Sequence, residues 1–118
     1  VVAFTNGKDF ITGNPYFQNL PVVPFEDIES FYPPEEYKIF IALGYKNRNK
    51  IRAERYYQAK NKKYQFASYI SSRAHYYHTP IGENCFILEN NVIQPFVTIG
   101  HNVFLWSGNH IGHHSTLE

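Results

Sequence analysis

Aliphatic residues recur at every sixth position through the last third of the chain. Aligned in sixes from residue 81, the sequence reads IGENCF, ILENNV, IQPFVT, IGHNVF, LWSGNH, IGHHST and LE, and every line begins with Ile or Leu. Alternating strands repeat every two residues and amphipathic helices every 3.6 or so, so neither explains a period of six. The pattern predicts a parallel β-helix, in which each hexapeptide forms one short strand and one corner. The aliphatic side chains stack inside, and the small fifth residue of each line fits at the corner.

The residues before the repeat follow other patterns. "VVAFT" is a short apolar run that ends at a turn, and "FEDIESFY" predicts a brief helix that ends before two prolines. "KIFIALG" is apolar on successive positions, as expected of a strand covered on both faces. Residues 49–62 contain no Gly or Pro and predict a helix, and "YQFASYI" predicts another strand. Strand, helix and strand in this order favour a parallel α/β sheet.

Charge divides the chain at the same place as the hydrophobic pattern. Eight of the eleven Lys and Arg residues lie between positions 46 and 63, and none lies between 81 and 118. We therefore expect two domains, 1–79 and 80–118, with a boundary near Pro80. The single cysteine, Cys85, excludes an intramolecular disulfide and fits a reducing compartment. No apolar run approaches the ~20 residues that span a bilayer, so we expect no membrane insertion.

The turn "GYKNRNKIR" joins the best predicted strand to the best predicted helix. Anions bind at such turns, because free backbone N–H groups and the positive end of the helix point outward there. Lys46 and Arg52 add positive charge suited to a pyrophosphate. A solvated basic face of the helix explains the same charges without a ligand.

The combined pattern resembles the hexapeptide acyltransferases, and most closely their sialic-acid O-acetyltransferase-like branch. The resemblance rests on "VVAFT", "LPVVPFEDIE", "IFIALGY" with its basic helix, and "IGENCFILENNVIQPFVTIGHNVFLWSGNHIGHHS". It implies the α/β class: an incomplete Rossmann-like unit that binds a nucleotide-sugar, followed by the first coils of a left-handed parallel β-helix. It also implies cytoplasmic transfer of an acyl group, usually acetyl, from acetyl-CoA to a sugar or nucleotide-linked sugar for surface glycans. The family's members are homotrimers.

The resemblance also implies site residues. The family's catalytic histidine lies four residues before an inward aliphatic residue, which here selects His113 as general base, with His114 in the place of an acidic neighbour. His110 is the second candidate, and the structural alternative is that both paired histidines only decorate a corner. For the nucleotide-sugar we expect Gly44, Tyr45 and Lys46, with Asn6 as a further contact. No two histidines are eighteen residues apart, so we predict no metal site within one chain; a metal site shared between subunits stays open.

Two other functions remain as alternatives. The front domain would serve as a binding module if it held a nucleotide-sugar without chemistry. The stretch "KNRNKIRAERYYQAKNKKY" is typical of nucleic-acid binding, but the adjacent coil without basic residues disfavours it. The family's glycine-rich turn would precede Val1, and its coenzyme-binding coils would follow Glu118. We therefore expect this chain to be an internal piece of a longer enzyme, without turnover of its own.

Overall fold

The computed structural model describes residues 1–118 as two compact units, residues 1–37 and residues 38–118. The change in charge composition near Pro80 lies inside the second unit. The predicted mixed α/β class is confirmed, with many short strands and one helix of three turns. The Rossmann-like character of the first part, and the functional division into domains 1–79 and 80–118, stay predictions. No helix is both long and apolar enough to cross a membrane.

The first unit is built on a small sheet. Its strands are β1 (Phe4–Asn6), β2 (Tyr16–Phe17) and β3 (Leu20–Pro24), with β1 parallel and β2 antiparallel to β3. The β2–β3 hairpin turns at Gln18 and Asn19, which both have positive φ, as the commonest two-residue hairpin turn requires. Two 3₁₀ helices, Lys8–Phe10 and Phe25–Asp27, flank the sheet, and α1 (Ile28–Phe31) continues the second. This is the brief helix predicted before the two prolines.

The second unit opens with the predicted strand, helix and strand. These are β4 (Lys38–Ile39), α2 (Lys50–Asn61) and β5 (Gln65–Phe66), and β4 runs parallel to β5. The helix buries Arg52, Tyr56 and Ala59, which follow each other at helical spacing. Ile51 and Tyr57, two apolar residues of the same helix, are 40% and 62% exposed. The inner face therefore carries a buried arginine that the apolar pattern did not indicate.

The rest of the second unit is a parallel β-helix. Every strand pair in it is parallel, and the strands stack into three sheets that form three faces. The strands are β6 (Tyr69–Ile70), β7 (His75–Tyr76), β8 (Phe86–Ile87), β9 (Val92–Ile93), β10 (Thr98–Ile99), β11 (Phe104–Leu105), β12 (His110–Ile111) and β13 (Thr116–Leu117). From β8 onward the Ile or Leu that ends each strand packs into the interior, and Ile87 and Ile93 are fully buried. The hexapeptide prediction is confirmed.

The coiling begins at Tyr69, earlier than the predicted start at Ile81. Ile70 pairs with Ile87, seventeen residues later, whereas Ile87 pairs with Leu105, eighteen residues later. The first coil is thus one residue short, and it has Tyr76 where later coils have Ile93 and Ile111. Because this coil is one residue short and has Tyr76 in place of an aliphatic residue, an alignment of the sequence in sixes does not reveal it. "YQFASYI" accordingly divides, because its first half pairs with β4 and its second half with the β-helix.

The corners have a regular backbone. The fourth residue of each hexapeptide has positive φ; these residues are Asn84, Asn90, Phe96, Asn102, Gly108 and His114. Gly and Asn adopt this left-handed conformation most readily, so Phe96 and His114 are the exceptions. The fifth residue of each early coil is enclosed by the corner, and Cys85, Asn91 and Val97 are at most 1% exposed.

Candidate functional site

A cavity of about 340 Å³ opens beside the start of α2. The turn before the helix contributes Gly44 and Tyr45, and the coil contributes Asn102, Phe104 and Trp106. Arg52 closes the cavity from α2. Two of the predicted substrate residues, Gly44 and Tyr45, therefore line one cavity, whereas Lys46 is not part of its wall.

Arg52 is the buried charge of this cavity. Its side chain is 5% exposed, and its guanidinium lies 5.5 Å from the centre of the Phe104 ring. Its Nη2 donates to the backbone carbonyl of Asn102 (2.8 Å), while its buried Nε has no hydrogen-bond partner. Desolvation lowers the pKa of Arg52, but a guanidinium stays protonated in proteins. A buried guanidinium in a cavity wall favours an anionic ligand, because an anion would offset the cost of burying its charge.

The turn that carries Gly44 and Tyr45 is held in an uncommon conformation. Asn47, Arg48 and Asn49 all have positive φ, between 54° and 64°. The backbone N–H of Asn49 donates to the carbonyl of Tyr45 (3.2 Å), and the helix begins at Lys50 without a side-chain cap. Two of the three left-handed residues are asparagines, which tolerate this conformation better than most residues. The two asparagines therefore favour the left-handed turn that brings Gly44 and Tyr45 into the cavity wall.

Hydrogen bonds attach α2 and the segment that follows β4 to the corner that contains Glu83 and Asn84. Glu83 accepts from Tyr56 Oη (2.5 Å) and from Lys60 Nζ (2.8 Å). These bonds, that from Lys60 first, lower the pKa of the Glu83 carboxyl. Asn84 accepts from the backbone N–H of Ile41 (2.8 Å) and donates to the side chain of Asn102 (2.8 Å). The bonds from Tyr56 and Lys60 hold α2 against the coil, and with it Arg52, whose own bond reaches Asn102.

The paired histidines lie at another corner of the coil. The Nδ1 atoms of His113 and His114 are 3.0 Å apart, and the two rings are nearly perpendicular. The His114 ring stacks on Phe96, with ring centres 4.8 Å apart and an interplanar angle of 25°. Both histidines are exposed. An Nδ1–Nδ1 hydrogen bond needs one protonated and one unprotonated nitrogen, so the two histidines have different tautomers.

The other predicted residues have separate positions. His110 is an exposed residue of β12 and pairs with Val92. His101 has a structural contact, since its Nδ1 accepts from the backbone N–H of Glu83 (3.0 Å). Asn6 ends β1 in the first unit, where its side chain accepts from the N–H of Gly7 (2.9 Å). No group of three or more His, Cys, Asp or Glu side chains is arranged to hold a metal ion.

Four residues that sequence reasoning did not single out contribute to these arrangements: Phe96, Asn102, Phe104 and Trp106. The signal that would have located two of them is the spacing of eighteen residues between coils. It places Asn102 over Asn84 and His114 over Phe96. Arg52 was recognised as a source of charge, but its burial depends on packing against the coil.

The hexapeptide repeat is also found when the sequence is compared with models of known protein families. Residues 78–117 match the family model described as bacterial transferase hexapeptide (six repeats). No curated protein matches the chain significantly in sequence. The matched segment covers only the coiled part, so the match identifies the repeat and not the whole chain.

Solved structures resemble most of the chain. The acetyltransferase domain of PglB from Neisseria gonorrhoeae FA1090 superposes with a TM-score of 0.77 at 18% identity, covering 97% of this chain and 53% of that chain. The same domain in complex with acetyl coenzyme A gives 0.73 at 18% identity, covering 88% and 50%. PerB from Caulobacter crescentus, in complex with CoA and GDP-perosamine, gives 0.71 at 19% identity, covering 84% and 47%.

This chain spans about half the length of the structures it resembles. At these identities the likeness concerns the fold. The chain therefore carries a hexapeptide repeat over residues 78–117 and has the fold of the left-handed β-helix acetyltransferase domains.

Proposed function

We propose that the full-length protein transfers an acetyl group from acetyl-CoA to a hydroxyl or amine of a nucleotide-linked sugar, in the cytoplasm, for surface glycan biosynthesis. The fold supports this proposal, and so does the chemistry of the matched proteins. One of them is an acetyltransferase domain in complex with acetyl coenzyme A, and another is in complex with CoA and GDP-perosamine. The sialic-acid O-acetyltransferase-like branch remains our assignment within the wider group.

The observation that carries the proposal is the cavity around Arg52. The diphosphate of a nucleotide-sugar is a dianion with many acceptor oxygens, and it matches the buried guanidinium of Arg52 in the cavity wall. Tyr45 and Trp106 are 72% and 57% exposed in the cavity wall, and they offer faces on which a base or sugar can pack. Gly44 leaves room for the ligand, since nothing lies within 4 Å of a Cβ built there. Lys46 remains a proposed contact of the nucleotide-sugar, and so does Asn6 of the first unit.

The histidine pair supplies the proton chemistry in this proposal. An acceptor hydroxyl or ammonium must lose a proton before it attacks the thioester, and imidazole accepts protons near neutral pH. His113 takes that proton while the acceptor oxygen or nitrogen forms a bond to the acetyl carbon. The carbon–sulfur bond then breaks, and coenzyme A leaves as a thiolate that is protonated afterwards. No acyl-enzyme forms, and Cys85 is buried in the core.

The homotrimer also belongs to the proposal. The cavity lies at the corner formed by Asn84 and Asn102, whereas the histidine pair lies at the corner formed by Phe96 and His114. A neighbouring copy that supplies its histidine corner to the cavity would complete the site. Mixed trimers of Arg52→Ala and His113→Ala copies should then recover about a quarter of wild-type turnover, since random assembly pairs intact halves at that frequency. Recovery near zero would argue for a site within one copy.

The function is tested by coenzyme A release from the full-length protein with acetyl-CoA and a panel of nucleotide-sugars. We expect His113→Ala to lose about 10²–10⁴-fold in turnover, with acceptor binding retained. His110→Ala is the matched control and should keep most of the activity. If only His110→Ala is inactive, His110 is the base. If both variants keep full turnover, the histidine pair has no catalytic part.

The binding module remains the alternative. Nucleotide-sugar binding without coenzyme A release in the wild-type protein would favour it over the acetyltransferase. Nucleic-acid binding by the basic helix would instead weaken steeply as salt is raised, whereas binding of one nucleotide-sugar would respond mildly.

A further inference from the structure

Phe96 has a conformation that its own side chain disfavours. Four of the six left-handed corner residues from Asn84 to His114 are Asn or Gly, whereas Phe96 and His114 are aromatic. A bulky residue with positive φ is strained, and such strain persists where the surroundings or a function maintain it. The two exceptions lie one coil apart at the same corner. Phe96 is 74% exposed, so burial does not explain its presence.

The contact between these two residues continues to His113. One face of the His114 ring stacks on Phe96, and its Nδ1 lies 3.0 Å from Nδ1 of His113. The stack fixes the plane of the His114 ring, and this plane directs Nδ1 toward His113. An exposed histidine without such a stack would rotate about its side-chain bonds among several rotamers.

We propose that Phe96 is a positioning residue for His113 and acts through His114. The inference rests on the proposed function, because it takes His113 as the base. A carboxylate beside the base would need no support to act as an acceptor, since both of its oxygens accept. A histidine in that place accepts only with one ring nitrogen, and only when that nitrogen faces the base. Phe96 supplies this orientation.

With His113 as the base, the Nδ1–Nδ1 contact assigns the tautomers of the pair. His113 is a base at Nε2 only if its Nδ1 carries the proton and donates to Nδ1 of His114. His114 is then unprotonated at Nδ1 and carries its proton at Nε2. When His113 takes up the substrate proton at Nε2, its Nδ1–H still donates to His114, so the hydrogen bond is kept through the reaction. The reverse arrangement would occupy the His113 Nδ1 lone pair and leave Nε2 already protonated.

The test compares Phe96→Asn with Phe96→Tyr in the full-length protein. Asn suits the left-handed corner and removes the ring, so we expect a higher Tm together with a kcat lowered about tenfold and KM values unchanged. Phe96→Tyr keeps the stack and should retain wild-type kcat. Phe10→Asn is the matched control, because Phe10 is also 74% exposed, and it should leave turnover unchanged. A wild-type kcat in Phe96→Asn would overturn the proposal.

A second readout does not depend on turnover. Nitrogen chemical shifts of labelled imidazoles report which ring nitrogen is protonated. We expect His113 to be protonated at Nδ1 in the wild type and in Phe96→Tyr, and to become a mixture of tautomers in Phe96→Asn. The same tautomers in all three proteins would overturn the positioning role. If the shifts change as expected but no acetyl transfer is found, the positioning role stands and the proposed function fails.

Discussion

Gly82 lies against the backbone of Gly100 in the next coil, so closely that a methyl group on Gly82 would overlap the Gly100 carbonyl. The added carbon would also lie 2.7 Å from Nδ1 of His101. The N–H of Gly82 donates to the carbonyl of Ile99 (2.9 Å), and this bond holds the two coils together. Glycine after the aliphatic residue is thus required here by close approach of two backbones.

Gly82→Ala should therefore destabilise the coil. Overpacking of this kind costs about 1–3 kcal/mol, and we expect the upper end because the obstacle is backbone. Gly112→Ala is the control at the equivalent place in a later repeat, where the new Cβ would lie 3.9 Å from its nearest neighbour, Oγ of Ser115. Urea unfolding of both variants measures the difference. Equal stability in the two variants would contradict the close contact.

Asn91 bonds three backbone groups inside a corner. It is fully buried, its Nδ2 donates to the carbonyls of Leu88 and Trp106 (2.8 Å each), and its Oδ1 accepts from the N–H of Asn109 (3.0 Å). Asn91→Ala removes all three bonds from a buried corner, although the Trp106 carbonyl keeps its bond from Asn109 Nδ2, and it should cost about 3 kcal/mol of unfolding free energy. Asn109→Ala removes one exposed bond and should cost less than about 1 kcal/mol. Comparable losses in the two variants would show that burial does not set the cost.

The Glu83 cluster predicts a pH dependence of stability. Hydrogen bonds from Lys60 and Tyr56 lower the pKa of Glu83 in the folded state. A carboxyl with a lowered folded pKa contributes stability above its unfolded pKa and loses it as the pH falls through the folded value. Glu83→Gln should therefore be less stable than wild type at neutral pH, and the two should converge once the pH falls below the folded pKa of Glu83, which lies under the ordinary value of a glutamate. Thermal unfolding across this range measures the difference, and a gap that persists in acid would contradict the charge-based origin.

The cavity predicts a binding phenotype for Arg52. Arg52→Lys keeps the charge but loses the planar guanidinium whose Nη2 donates to the Asn102 carbonyl. We expect affinity for a nucleotide-sugar to fall about tenfold in calorimetry with the full-length protein. Arg55→Lys, on the same helix outside the cavity, is the control. An unchanged affinity in Arg52→Lys would remove Arg52 from the site.

The six-residue period determined the β-helix without a structure. Ile87, Ile93 and Ile99 recur at a spacing that no other regular structure produces, so the inward stacks and the corners were predictable. The helix over residues 50–61 was also predictable, because its neighbourhood lacks Gly and Pro. The six-residue period and the stretch without Gly or Pro are both visible within short segments of the sequence, so they can be recognised before the tertiary structure is known.

Tertiary structure decided the features that join distant residues. The first coil cannot be recognised from the six-residue period, because it is one residue short and has Tyr76 in place of an aliphatic residue. Only the strand pairing of Tyr76 with Ile93 identifies it. Arg52 lines a cavity because α2 packs against the coil. The apolar pattern of the sequence identifies apolar inner positions only, so it does not predict a charged residue on the inner face of the helix. The contact of Phe96 with His114 joins positions eighteen residues apart. The two side chains meet because three strands and three corners form one full coil and return the chain to the same corner. This contact depends on the geometry of the whole coil and cannot be read from either residue alone.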